Sequence, residues 1–111
     1  MQDVVETTEE APPDESEIAL TGLTTSPSEK VKPPRIAESP VHLECVVRQI
    51  VSFGDGPIAA NLVIGEVVMM HVADEVLDDQ GRVDPRKLKT VARLGQDYWC
   101  HTSDLFEQKR P

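Results

Sequence analysis

The sequence has few aromatic residues, few cysteines and no long apolar run. Its 111 residues include four aromatic side chains and two cysteines, Cys45 and Cys100. Two widely separated cysteines do not form a disulfide framework or a zinc knuckle, so reduced thiols are expected. The longest apolar run, within residues 62–70, is far shorter than the ~20 residues that span a bilayer, and no signal peptide is evident. These absences predict a soluble, cytoplasmic protein without a membrane partner.

Basic residues are absent from the first 29 positions, which contain eight of the 20 acidic residues. The other positions carry 12 acidic and 11 basic side chains, so most of the net charge of −9 lies in segment 1–29. No basic stripe is present to bind a phosphate backbone, which disfavours nucleic acid as a partner. Prolines and low hydrophobicity predict that residues 1–36 are mostly loop or disordered. We therefore divide the chain into an acidic, proline-containing tail or linker, 1–29, and a folded part, 30–111.

Two apolar, β-branched segments follow and predict a long hairpin. The first strand is predicted from Val41 to Ser52 and the second from Asn61 to Val72, with a glycine-containing loop at residues 53–60. Alternation predicts a buried face on the first strand, formed by Val41, Leu43, Cys45, Val47 and Val51. The opposite face carries His42, Glu44 and Arg48.

Part of the second strand, Leu62 to Val68, is apolar at both alternating positions. Such a pattern predicts a strand covered on both faces, as in a barrel wall or at a subunit interface. Two long strands are too few for an independent barrel. The missing strands are expected from the proline-rich region, from a second copy of the chain or from a separate segment of polypeptide.

The C-terminal region contains a helix signal and a short final strand. Asp84 followed by Pro85 predicts a helix that runs to Ala92, because aspartate is a good N-cap and proline is well tolerated at the first helical position. Gly95 is predicted to take the positive-φ position after this helix. The aromatic segment from Tyr98 to Thr102 is predicted to be the last strand.

Metal binding is not predicted, although the chain offers several imidazole and thiol ligands. These are His42, Cys45, His71, Cys100 and His101. Their spacing matches no known metal motif, and His42 and Cys45 fall on opposite faces of one strand. Cys45 follows the apolar alternation, so we interpret it as a buried thiol rather than a nucleophile.

Arg93, Tyr98 and Trp99 form a second group of interest in a chain with few aromatic residues. A cation beside aromatic rings can bind a planar anionic ligand. The alternative interpretation is structural: the arginine would bind carbonyls at the end of the helix, and the tyrosine would pack on the sheet.

Several motifs taken together resemble one known family. They are the segment from Val31 to Cys45 (VKPPRIAESPVHLEC), the segment from Leu62 to Val72 (LVIGEVVMMHV), the segment Gly81 to Asp84 (GRVD), and Arg93-Leu94-Gly95 with Tyr98. In this order they resemble the C-terminal half of flavin reductase-like proteins, the FMN-binding split-barrel family that includes flavoredoxins. The resemblance extends from about Ala11 to Pro111.

The resemblance implies a homodimer of split barrels that binds FMN at the subunit interface and transfers hydride between NAD(P)H and flavin. The family's first barrel strands, with the Ser-, Lys-, Thr- and Asn-bearing motifs that hold FMN, are not matched by this chain. The expected fold is therefore mainly β: a partial split β-barrel, with a long hairpin and a short helix, incomplete without its N-terminal half. A truncated or half-domain version that is completed by another chain is expected.

The resemblance also implies which residues contact the cofactor, FMN, and the cosubstrate, NAD(P)H. They are Lys32, Ser39, His71, Arg93, Gly95 and Tyr98. No catalytic residue is assigned, because the flavin performs the hydride chemistry and the protein orients it. The alternative function is a non-catalytic remnant or interaction module that pairs its strand edges with another chain.

Overall fold

The computed structural model describes residues 16–111, and its fold is mainly β. Its elements in chain order are α1 (Glu17–Thr21), β1 (Thr25–Ser26), β2 (Arg35–Ile36), β3 (Val41–Phe53), β4 (Ala60–Val72), a 3₁₀ helix (Asp74–Val76), α2 (Pro85–Leu88), β5 (Val91–Gly95) and β6 (Tyr98–His101). Within the described range the strands form three two-stranded sheets and no closed barrel. No helix in residues 16–111 is long and apolar enough to cross a membrane.

The described residues divide into two compact units, one of residues 23–71 and one of residues 16–22 with 72–111. The first unit contains the predicted hairpin. Strands β3 and β4 are hydrogen-bonded neighbours joined by the short loop 54–59, a connection that requires antiparallel strands. Both strands were predicted to within one residue, because alternation and two glycines mark their ends.

The proline-rich region contributes strands, but not to this hairpin. Strand β1 pairs with β2 in an antiparallel sheet of their own, with Thr25 opposite Ile36 and Ser26 opposite Arg35. The predicted loop from residue 16 onward also contains the five-residue helix α1. The rest of the predicted acidic tail, residues 1–15, lies outside the described residues, and the division of the chain at residue 29 stays a prediction.

The prediction of a buried face on β3 was wrong for this chain. Leu43 and Val47 of that face are exposed, and so is Cys45, which was interpreted as a buried thiol. In the described part of the chain only two residues are buried, Val76 and the charged Glu44, with 4% and 2% of their surfaces exposed. The physical reason is that alternation shows which side of a strand can be covered, whereas burial requires a second layer to cover it.

Gly65 lies where β4 comes close to β3. A Cβ atom built at this position would lie 3.3 Å from the Cβ of Cys45, closer than nearly all such contacts. A glycine in the middle of this apolar strand is thus explained by the close approach of the Cys45 side chain on β3.

The helix predicted in the second unit is shorter in the structure. Asp84 is its N-cap, and its carboxylate accepts a hydrogen bond from the Arg86 amide at 2.9 Å, as expected. The helix α2 ends at Leu88 rather than Ala92, because Lys89 takes a left-handed conformation with φ 52°. Residues 91–95 instead form β5, which pairs with the predicted final strand, β6. The β-branched and apolar character of Val91 favours the strand once the helix has ended.

Replacing Lys89 with glycine should stabilise this unit. A non-glycine residue in the left-handed region costs about 1–2 kcal/mol, part of which is offset by the larger backbone entropy that glycine loses on folding. We expect the free energy of unfolding, measured in urea, to rise by about 0.5–1 kcal/mol. The control is Arg86→Gly inside α2, which should lower it by up to about 1 kcal/mol. A free energy of unfolding that falls in Lys89→Gly as much as in Arg86→Gly would contradict the prediction.

Candidate functional site

A closed loop at residues 27–34 carries Lys32, the first predicted cofactor contact. The β1–β2 pairs form its base, and the Ser28 hydroxyl donates to the Pro33 carbonyl at 2.6 Å. Arg35 Nε donates to the Pro27 carbonyl at 3.2 Å. These bonds hold a proline-rich segment that has no regular secondary structure, and they leave Lys32 exposed.

The tip of this loop is held by Glu44, a carboxylate on β3 that is only 2% exposed. Its Oε1 accepts hydrogen bonds from the backbone amides of Lys30, at 2.7 Å, and Glu29, at 3.1 Å. Its Oε2 accepts from His71 Nε2 on β4 and from the Glu29 amide. Successive backbone amides that converge on an anionic oxygen form an anion-binding concavity, and here the protein's own carboxylate fills it.

These contacts explain why a buried carboxyl group stays charged. Burial by itself raises the pKa of Glu44, but the Lys30 amide, the His71 imidazole and the Glu29 amide together lower that pKa to about 2. Hydrogen bonds to the charged form outweigh desolvation. Glu44 is therefore a carboxylate at neutral pH, and because a carboxylate only accepts, His71 Nε2 carries the proton in their hydrogen bond.

His42 provides a second imidazole near this pair. Its Nε2 lies 2.5 Å from the Ile36 carbonyl oxygen, an acceptor, so this nitrogen also carries a proton. The His42 and His71 rings meet edge to face, with 6.1 Å between their centroids. Both imidazoles are thus held by acceptors on their Nε2 atoms.

Ser39 lies in the turn before β3, where its hydroxyl donates to the Val41 carbonyl at 2.9 Å. Ser39, His42 and Glu44 line one cleft of about 330 Å³ in the unit of residues 23–71. That volume is at the lower end of the roughly 300–1,000 Å³ typical of ligand pockets. The cleft can hold part of a large ligand, with hydroxyl and imidazole groups at its wall.

The other three predicted contacts share the β5–β6 hairpin in the second unit. Arg93 pairs with Trp99 across the strands, and its guanidinium lies 5.9 Å from the centre of the indole ring. Gly95 takes φ 104° where the strand register shifts, and it pairs with Tyr98, which is 68% exposed. The helix-capping alternative for Arg93 is wrong, because this residue lies on a strand.

The structure thus gathers the six predicted residues in two groups. Lys32, Ser39 and His71 belong to the unit of residues 23–71, where Glu44 joins His71 to the loop that carries Lys32. Arg93, Gly95 and Tyr98 belong to one hairpin. Sequence reasoning missed Glu44, which alternation placed on the solvent-facing side of β3. The available signal was weak: a single acidic residue within an apolar strand.

Two further acidic groups have lowered pKa values. The Thr24 hydroxyl and amide, which donate to Glu38, hold the pKa of that carboxyl below its usual range. The Arg82 amide does the same for Asp78 in the second unit. Within residues 16–111 no three His, Cys, Asp or Glu side chains are arranged to hold a metal ion.

Fold and comparisons together define a class of protein: a mainly β chain with the strand arrangement of split-barrel proteins. A Shewanella frigidimarina structure described as a flavin reductase with a split barrel domain matches with TM-score 0.82 and 25% identity, over 99% of this chain and 55% of that one. The family model "Flavin reductase like domain" matches residues 1–90. The chain belongs to this flavin reductase-like family.

The chain is also similar to individual proteins. Nitrilotriacetate monooxygenase component B from Bacillus cereus is 33% identical with TM-score 0.86, over 96% of this chain and 54% of that one. An uncharacterized protein of Halalkalibacterium halodurans is 40% identical over 102 residues, which are 90% of this chain and 48% of the relative. The chain therefore spans about half the length of the proteins that it matches.

Proposed function

We propose that this chain is half of an FMN-binding oxidoreductase that transfers hydride between NAD(P)H and flavin. The observation that carries the proposal is membership of the flavin reductase-like family over residues 1–90. Bound FMN would supply the redox chemistry, in which a hydride from NAD(P)H and a proton from water would be taken up and NAD(P)⁺ would be left. The protein's task is to bind and orient both nucleotides.

The available side chains fit a flavin mononucleotide in chemical type. A flavin presents a planar ring system and a phosphate, which call for stacking surfaces and for cations or hydroxyls. The β5–β6 hairpin offers the exposed Tyr98 ring and the Arg93 guanidinium over Trp99. We propose that Tyr98 contacts the flavin or nicotinamide ring and that Arg93 supplies positive charge to it, while Gly95 lets the backbone approach.

In the unit of residues 23–71 the proposed contacts are Lys32, Ser39 and His71. Lys32 is an exposed cation on a constrained loop, which suits a phosphate group. Ser39 Oγ and His71 Nδ1 offer lone pairs to a ligand, because the Ser39 hydroxyl hydrogen is donated to the Val41 carbonyl and the His71 Nε2 hydrogen to Glu44. None of these groups needs to act as an acid or base for the hydride step.

We further propose that the β3–β4 hairpin is covered by polypeptide beyond the described residues. Apolar side chains are exposed at both alternating positions of β4, among them Ile64 and Val67. A monomer rarely leaves so large a contiguous apolar surface in water. Matching relatives about twice as long support a complementing segment that supplies the remaining barrel strands. We propose that the assembled protein is a homodimer.

The same exposed hairpin favours a second candidate function. A chain that pairs its strand edges and apolar faces with another polypeptide, without binding flavin, would be an interaction module. The two functions differ in one measurable property, the binding of FMN by the assembled protein.

The decisive experiment is a flavin titration followed by fluorescence and visible absorbance. The chain would be purified alone and together with the segment of Bacillus cereus component B that it does not match. We expect one FMN per chain in the assembled protein, and oxidation of NADH or NADPH on addition. Arg93→Ala and Tyr98→Ala should each weaken FMN binding by roughly 10- to 100-fold, the cost of one charged or stacked contact.

Matched controls are Arg110→Ala and Phe106→Ala, which remove an arginine and an exposed aromatic ring elsewhere. Neither should change FMN affinity. An assembled protein that binds no FMN would overturn the oxidoreductase proposal and leave the interaction module.

A further inference from the structure

Glu44 is the one buried charged side chain in the described part of the chain, and it is not one of the six proposed cofactor contacts. It bonds to two elements that are far apart in sequence: the loop amides of Glu29 and Lys30, and the imidazole of His71 on β4. Each of these elements carries a proposed cofactor contact, Lys32 or His71. One carboxylate is therefore hydrogen-bonded to both elements.

We propose that Glu44 is a positioning residue that fixes the Nε2–H tautomer of His71 and the conformation of the Lys30–Lys32 segment together. Its significance for the cofactor rests on the proposed function, whereas the coupling itself does not. With Nε2 committed to Glu44, the Nδ1 atom of His71 is the ring nitrogen left to meet a ligand. The Glu29 and Lys30 amides both donate to Glu44 Oε1, and these two bonds restrain the backbone that leads to Lys32.

The groups that face this carboxylate favour one protonation state. The His71 ring and two backbone amides donate to it, and the other titratable ring packed against His71 is His42, whose own Nε2 is committed to the Ile36 carbonyl. No described carboxyl group forms an ion pair or hydrogen bond with Glu44. All of these partners donate hydrogen bonds, so both oxygens of Glu44 must act as acceptors.

Glu44→Gln tests this requirement because glutamine has one acceptor oxygen and one NH₂ donor. If the oxygen faces the loop, the NH₂ group faces His71, which must switch to its Nδ1–H tautomer. If the oxygen faces His71, the NH₂ group faces the Lys30 amide, whose hydrogen-exchange protection should fall by at least roughly tenfold. The proposal requires one of these two changes.

The measurement is ¹⁵N NMR of the imidazole tautomers, together with amide hydrogen exchange. The internal control is His42, whose tautomer should stay Nε2–H in wild type and variant. The matched variant is Glu38→Gln, since Glu38 also accepts from a backbone amide, that of Thr24 at 2.9 Å, but has no imidazole partner. It should leave His71 and the Lys30 amide unchanged.

Glu44→Gln with His71 still in the Nε2–H form and Lys30 still protected would overturn the proposal. A change in His42 equal to that in His71 would also overturn it, because it would indicate general loosening. Should the variant not fold, the wild type decides: a His71 that is mostly Nδ1–H contradicts the proposed bond. These readouts need no flavin, so they stand even if the wild-type protein binds no FMN.

A second readout concerns the cofactor. In the assembled protein we expect Glu44→Gln to lower FMN affinity at least tenfold while Glu38→Gln leaves it unchanged. Equal affinities for Glu44→Gln and wild type would overturn the positioning of cofactor contacts by Glu44.

Discussion

Replacing Ile64 or Val67 with lysine should abolish the proposed assembly of this chain with a complementing segment. The two residues occupy opposite faces of β4 and are 43% and 47% exposed in the chain by itself. If both faces of β4 are covered in the assembled protein, either lysine must leave water for an apolar surrounding. That transfer costs about 3 kcal/mol or more, roughly a 100-fold loss of affinity.

Sedimentation of the chain alone and with the unmatched segment of component B measures this effect. Asp55→Asn in the β3–β4 loop is the control, because it makes the same charge change at the exposed tip of the hairpin. We expect it to assemble like wild type. Loss of assembly with only one of the two lysines would show that one face of β4 stays in water, and wild-type chains that remain monomeric in both samples would contradict the covered hairpin.

The second large effect expected is acid sensitivity of the unit of residues 23–71. The pKa of Glu44 is about 2 in the folded chain and about 4.5 ordinarily. A carboxyl whose pKa is lowered by folding stabilises the protein fully above its ordinary pKa, and that contribution is lost as pH falls toward the folded value. The urea midpoint should therefore fall steadily between about pH 4.5 and pH 2.

Glu44→Gln should flatten this part of the pH profile, since the variant has no charge to lose. It should also lower the urea midpoint at neutral pH, because the hydrogen bonds to the carboxylate are lost. Glu38→Gln is the matched control. The pKa of Glu38 is also lowered, by Thr24, but its carboxylate is exposed, so the variant should keep most of the acid response. A Glu44→Gln profile as steep as that of wild type would assign the acid response to other groups.

The hairpin shows how much of the fold could be predicted. Alternation from Val41 onward and the glycines of the loop are local signals, and they located β3 and β4 to within one residue. The end of α2 was missed because it depends on Lys89, which takes a left-handed conformation that its residue type disfavours. Once that turn is made, the next residues can pair with β6, a contact that no local pattern reveals.

The candidate site was likewise predicted only in part. Arg93 and Tyr98 were selected from the scarcity of aromatic residues and from family resemblance, and they lie on one hairpin, where Arg93 pairs with Trp99 and Tyr98 with Gly95. Glu44 was missed because its role depends on partners 14, 15 and 27 positions away. The residue type and the alternation at position 44 indicate only a polar residue on the polar face of a strand, and they do not predict these distant hydrogen-bond partners.

By itself the sequence determined the family, the long hairpin and the concentration of negative charge in the first 29 residues. These features depend on residue types and on neighbours a few positions apart. Only the tertiary structure decided that the apolar faces of β3 and β4 are exposed in this chain and that the buried charge is Glu44. Burial and long-range hydrogen bonds depend on which segments the folded chain brings together, and alternation along one strand does not contain that information.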